Sequence, residues 1–351
     1  MCNKADVARI SLEIKKRVEW IDIVKFLGIF LIYLGHFGAV AGRAYSFVFS
    51  HHVPLFFFIS GCTENYNKDT SIYGYVIGKI KSLLIPFWCF AVGSIILETL
   101  IKESSFIDVA KMFVQMAKGA IRNDFVSGSL WFITCLFVMQ VFFYIIKSAV
   151  KKSGVILGCC IALSYFAQYG LGLYPASGPR WLYNIDSAMH YIVYYAIGYV
   201  LFPYVVRLFE MDTEKKKWFF IITGLISFVY TALMFFGKDL FEEFYYWPRL
   251  AFFVKIVSVL IMIWFWLFVA KALEGSHWIA MIGKNTLYLC GAEFFVRHLC
   301  DQVISLFNVS IQFNTPFAAY VYAGIMLYLA NRYLVPIEKF ILSKINGIFG
   351  E

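Results

Sequence analysis

Three titratable residues interrupt an apolar run between Trp20 and His36. Asp22 and Lys25 stand near its start and His36 at its far end. On a helix rising about 1.5 Å per residue, Lys25 and His36 are roughly 16 Å apart. An ionisable group at membrane depth is expensive to keep, so it marks a candidate functional position. The plainer alternative is a membrane anchor with an interfacial lysine and a hydrogen-bonded core histidine.

The same residue types recur later. His52 falls midway in a second apolar run, Lys79 and Lys81 precede a third, and Lys284 and Glu293 share a late one. On one continuous helix Glu293 would stand roughly 13 Å beyond Lys284. If these runs are neighbours, His36, His52 and Glu293 meet at one level, and Lys25, Lys79, Lys81 and Lys284 form a basic collar below them. A basic collar suits a polyanion, and an imidazole backed by a carboxylate suits general base catalysis. Acyl-coenzyme A fits both, with phosphates at the rim and a thin arm carrying a thioester inward. Each residue keeps a plainer alternative. The lysines can be positive-inside anchors. His52, just before Val53-Pro54, can be a structural donor, and Glu293 can pair with Arg297 one turn on.

The elements that must hold these residues follow from composition. Of 351 residues, 61% are hydrophobic, 20% aromatic and 15% charged, against about 25% charged in a soluble domain. Repeated apolar runs of about 20 residues predict an all-α polytopic membrane protein, not a barrel. We expect ten spans, near 18–40, 45–62, 82–101, 129–148, 154–173, 186–206, 218–236, 250–270, 278–299 and 316–334. Residues 106–122 carry Asp108, Lys111, Gln115, Lys118 and Arg122 at helical spacing, which predicts an amphipathic helix in the outer interface. Residues 1–17 read as a basic cytoplasmic lead, 18–340 as one transmembrane domain and 341–351 as a cytoplasmic tail. Residues 63–81, 174–181 and 207–217 read as loops. Ala39-Val40-Ala41 gives the first run a superficial likeness to a cleaved signal, but an uncleaved first helix is the expectation here.

Of the 31 lysines and arginines, 20 fall on the amino-terminal side of this layout and nine on the other. That excess puts both termini in the cytoplasm. The net charge of +9 therefore reflects topology and does not indicate nucleic acid. The eight cysteines show no metal-ligand or CxxC spacing. They read as packing residues, with no metal expected.

Several stretches together resemble the membrane acyltransferase-3 family, and within it the fucose 4-O-acetylase-like bacterial acetyltransferases. Lys25, ten intervening residues and His36 resemble the family's basic-x10-His signature, with lysine where many members have arginine. His52-Val-Pro54-Leu-Phe-Phe resembles its His-Met-Pro-Leu-Phe-Phe block. Lys79-Ile-Lys81, leading to Pro86, resembles its basic third-helix entrance, and Ser129-Leu-Trp131-Phe132 its Leu-Trp-Phe block. Ile282-Gly283-Lys284-Asn285-Thr286 resembles its Gly-Lys-Asn-Ser stretch. Members often carry a histidine where this chain has Glu293.

The resemblance implies a ten-span enzyme of the bacterial inner membrane. It would move acetyl from cytoplasmic acetyl-CoA to a hydroxyl of an envelope glycan or lipid-linked sugar. His36 would be the catalytic residue, and Lys25, Lys79 and Lys81 would touch the CoA phosphates. A transporter or lipid-linked-sugar flippase is the alternative, since histidine and glutamate at depth also build proton relays. The absence of internal repeats argues against it.

Overall fold

The computed structural model describes residues 18–64, 71–173, 178–210, 214–306 and 315–349. The basic lead at 1–17, Tyr174-Pro-Ala-Ser177 and part of the 207–217 loop lie outside the described residues. The described chain is 84% helical and has no strands. In order, the helices are α1 (Glu19–Gly35), α2 (Arg43–Cys62), α3 (Ile72–Lys102), α4 (Phe106–Ala117), α5 (Trp131–Ala149) and α6 (Ser153–Tyr169). There follow α7 (Ile185–Phe209), α8 (Glu214–Phe235), α9 (Pro248–Ala272), α10 (His277–Gly283) and α11 (Thr286–Leu306). The last two are α12 (Pro316–Leu329) and α13 (Val335–Phe349). Helices α3, α5, α9, the 182–209 segment and the 217–235 segment are long and apolar enough to cross a membrane. This is an all-α membrane protein.

The chain divides into two compact units. The first comprises residues up to Asp69 together with Tyr194–Lys284. The second comprises Thr70–Val193 and Asn285–Glu351.

The first unit is built on the α1–α2 hairpin. Acidic Glu19 and Asp22 suit the positive end of α1. The helix stops at Gly35, five residues short of the expected end, because Gly38 and Gly42 take positive φ (62° and 60°) in the turn that follows. The two helices run antiparallel in close register. A Cβ on Gly28 would sit 2.8 Å from the Phe56 ring, and one on Gly35 would meet Val48 and Phe49 at 3.1 and 3.3 Å. Helix α2 then crosses the carboxy-terminal half of α7 backbone to backbone. Cβ atoms on Gly61 and Gly198 would each lie 2.0 Å from an opposing carbonyl, those of Tyr195 and Phe58. Small residues permit such approaches, and dispersion then holds helices that lipid gives no hydrophobic reason to associate. Trp20 fills the space beside α7, edge-on to Phe209 at 5.0 Å.

The second unit contains two helices disturbed in the same way. In α3 a π-helical turn spans Ile80–Leu84, two residues before Pro86. Between α12 and α13 another spans Ala330–Leu334, two residues before Pro336. Proline has no N–H for the carbonyl four residues back and its ring crowds that carbonyl. The wider π turn absorbs the mismatch without ending the helix. As a result α3 begins at Ile72, inside the stretch expected to be loop. Residues 341–349, expected as tail, continue α13. The ninth expected span, 278–299, is broken: α10 ends at Gly283, and Lys284–Asn285 turn the chain before α11 begins.

Helix α11 packs parallel to α3, with Gly291 against the Phe90 ring and Gly93 against that of Phe295. The Tyr144 ring of α5 stacks on Tyr75 at 4.1 Å.

Candidate functional site

Lys25, His36, His52 and Lys284 belong to the first unit, and Lys79, Lys81 and Glu293 to the second. Within the first unit, the amino-terminal end of α1 collects charge. Asp22 is 2% exposed, and its Oδ1 lies 3.7 Å from Lys25 Nζ. An aspartate this buried needs its cation. Lys25 is therefore partnered within its own helix and presents about a quarter of its side-chain surface. Its charge also reaches the thiol of Cys62 at the end of α2.

Gly283 seats α10 directly on this turn of α1, where a Cβ would stand 1.7 Å from the Asp22 carbonyl oxygen. Lys284 follows at once and is exposed, close enough to act on Glu19. Glu19 also accepts hydrogen bonds from Gly275 N at 3.1 Å and His277 Nδ1 at 2.6 Å. Lys25 and Lys284 are thus brought to the same end of the unit. The single helix expected to carry both Lys284 and Glu293 is interrupted at Lys284–Asn285.

The other end of the hairpin carries the imidazoles. His36 caps α1 and is half-buried, its backbone N–H donating to Ile32 O at 3.1 Å. His52 is 7% exposed, and its Nδ1 lies 2.7 Å from Val48 O. A carbonyl oxygen only accepts, so Nδ1 carries the proton and Nε2 is the basic nitrogen. The bond draws the ring back one turn, to Val48 and Phe49, with the Phe49 ring edge-on at 5.0 Å. Those are the two residues that Gly35 packs on, next to His36. The hairpin register therefore brings His36 and His52 into one neighbourhood. Helix α1 is only about 25 Å long, so His36 stands at its end.

His51 is a histidine that sequence reasoning passed over. It is fully buried, donates from Nδ1 to Phe47 O at 3.0 Å and accepts the Trp266 indole N–H on Nε2 at 2.7 Å. Both nitrogens are spent on structure. Glu64 was also passed over: it is 5% exposed just after α2 and accepts the Tyr195 hydroxyl at 2.8 Å.

In the second unit, Lys79 lies half-buried over the Tyr75 ring at 5.0 Å, and Lys81 is exposed on the π turn. Glu293 is 4% exposed on α11. One turn below it, Cys290 O accepts the Ser129 hydroxyl at 2.8 Å, so the Ser129-Leu-Trp-Phe block docks on the helix that carries Glu293. Asn285 serves the fold: Nδ2 donates to Asn331 at 2.9 Å and Oδ1 accepts from Lys339 at 2.6 Å.

Arg122 departs most from expectation. It was placed on the amphipathic helix, but α4 ends at Ala117, and Gly119, Ala120 and Asn123 take positive φ (89°, 47° and 66°). The segment after α4 turns inward. Asn184, wholly buried at φ 56°, clasps it: Nδ2 donates to Gly119 O (3.1 Å) and Thr134 Oγ1 (3.0 Å), and Oδ1 accepts from Arg122 N (3.0 Å). Asn184-Ile-Asp186-Ser187 opens α7 with typical capping residue types. That was the available signal for this clasp.

Residues 18–331 match the family model of an acyltransferase domain. No curated protein and no solved structure matches the chain. With nearly the whole chain covered, the protein is a member of the acyltransferase-3 family of membrane acyltransferases.

Proposed function

We propose that this membrane acyltransferase moves an acetyl group from acetyl-CoA to a hydroxyl of an envelope glycan or lipid-linked sugar, as fucose 4-O-acetylase-like enzymes do. We take residues 18–340 as one catalytic domain of ten spans in a bacterial inner membrane, with both termini in the cytoplasm. Lys25, Lys79, Lys81 and Lys284 bind the CoA phosphates, and His36 is the general base. His52 holds a fixed tautomer beside His36, and Glu293 is the acid–base candidate of the second unit. No metal takes part.

The single observation that carries this reading is the α1–α2 hairpin. It separates a cationic end, with Lys25 and Lys284, from an imidazole end, with His36 and His52. The interval is roughly 16 Å along α1. In the reaction, the base takes the proton of the acceptor hydroxyl as its oxygen attacks the thioester carbonyl. The new C–O bond forms, the C–S bond breaks, and the proton leaves with the CoA thiol.

The test is incubation of the purified, membrane-embedded protein with acetyl-labelled acetyl-CoA. Binding and slow release of labelled acetate are expected, with transfer when envelope glycan is added. Neither binding nor turnover would overturn the reading and leave the transporter alternative.

A further inference from the structure

Residues 118–130 form irregular backbone, yet Ala120, Ile121, Phe125, Ser127, Ser129 and Leu130 are all buried. In a membrane protein, buried non-helical backbone is tolerated where it packs inside protein or lines a wet cavity. This segment carries two non-glycine residues with positive φ, Ala120 and Asn123, and the facing segment adds Tyr183 (φ 53°) and Asn184. Single residues of this kind cost of order 1–3 kcal/mol and persist where the surroundings over-determine them, often at ligand sites.

Polar groups left unsatisfied by the fold gather here. Arg122 Nη1 is buried with no hydrogen-bond partner among the described residues, and so are Ser127 Oγ and Ser187 Oγ. The Arg122 guanidinium lies 4.9 Å from the Trp131 ring centre and contacts the Tyr191 hydroxyl. The buried acid of the clasp does not answer it. Asp186 spends its oxygens on the backbone amides of Arg180 (2.8 Å), Trp181 (3.3 Å) and Ser187 (2.7 Å). Asp124 is exposed and takes the Gln115 amide at 3.3 Å. Asn123 and Gly128 are exposed as well, so the clasp reaches the surface.

An arginine held over an indole with one fork nitrogen unanswered, in a clasp that also carries two unpartnered hydroxyls, matches an anionic oxygen on a hydroxyl-bearing ligand. We infer that the clasp of residues 118–131 and 180–191 binds an acidic sugar, a uronate or a sugar phosphate, through Arg122, which Trp131 holds in place. This deepens the reading above by giving the acceptor its chemistry, and it rests on that reading only for the word acceptor. Ser129 ties the clasp to Cys290, one turn from Glu293. Along α5, Trp131 stands about 20 Å from Tyr144, which stacks on Tyr75 beneath Lys79. The second unit thus keeps this site apart from its basic entrance.

The test is saturation-transfer NMR on the full chain in nanodiscs, without acetyl-CoA, using glucuronic acid, glucose 1-phosphate and glucose. Signal from either acidic sugar, with glucose giving little, supports the site, and which acid binds distinguishes carboxylate from phosphate. Arg122→Gln should raise the Kd for that sugar at least about tenfold, the scale of one charge-assisted bond. Glucose binding as well as both acids in the unaltered chain overturns the proposal with no variant needed. So does an unchanged Kd in folded Arg122→Gln. Acid-sugar binding without any acetyl-CoA turnover would refute the acetyltransferase reading alone. Turnover without acid-sugar binding would refute the clasp alone.

Discussion

Replacing Gly283 with alanine tests whether α10 is locked on α1 where Lys25 and Asp22 pair. The added Cβ would stand 1.7 Å from the Asp22 carbonyl oxygen and 3.2 Å from Phe26 N. Both are backbone atoms, so no side chain can swing aside. The helices must part by roughly 1.3 Å or more, and overpacking of this kind costs about 1–3 kcal/mol. The better helix propensity of alanine returns at most about 1 kcal/mol. At 1.7 Å the cost belongs at the upper end of that range, so a net loss of about 2 kcal/mol remains, which lowers the melting temperature by about 4–8 °C on the scale of domains of 150–250 residues. Gly158→Ala is the control. Gly158 lies inside α6 with nothing within 4 Å of an added Cβ, so that variant should be neutral or slightly more stable. Thermal unfolding in detergent reads both. If Gly283→Ala melts within about 1 °C of Gly158→Ala, the backbone contact does not exist and Lys284 is not held against the Lys25 turn.

Two further outcomes follow from the second unit. Asn184→Ala removes three buried hydrogen bonds and puts a Cβ-bearing residue without a local polar side chain at φ 56°. About 3–4 kcal/mol should be lost, with Asn184→Gly recovering only the backbone share, about 1 kcal/mol; chemical or thermal denaturation checks it. At the start of α4, the Ser105 hydroxyl and then Lys111 hold Asp108 below the ordinary carboxylate range. A depressed carboxylate pKa adds stability that is present above its unfolded value and lost as pH falls through the folded one. The protection factors of the Asp108–Lys111 amides, exchange rates divided by their intrinsic rates at each pH, should therefore fall on acidification below the ordinary carboxylate range and stay flat above it, and Asp108→Asn should abolish that dependence.

Apolar run length predicted where most helices lie, because each must match one bilayer thickness. It could not predict the breaks. The stop at Gly35 depends on Gly38 and Gly42 adopting positive φ, and the turn at Lys284–Asn285 on Gly283 meeting Asp22; both are tertiary facts. The early start of α3 was hidden because 63–81 reads as a polar loop, and Pro86 suits the first turn of a helix starting near 82 as well as a π turn inside a longer one. Lys25 was legible as charged, but its engagement by buried Asp22 was not, since that depends on what covers the first turn of α1. Arg122 was misassigned because its spacing continues the amphipathic period past Ala117, and only Asn184, 62 residues away, reveals that the chain has turned inward.

The measurement closest to the central claim is acetyl transfer from labelled acetyl-CoA by His36→Ala in nanodiscs, beside a melting curve. An unchanged fold, retained acetyl-CoA binding and transfer reduced by about 10²–10⁴-fold, the scale of a lost general base, are expected. Transfer at the unaltered rate by the folded variant would contradict that claim.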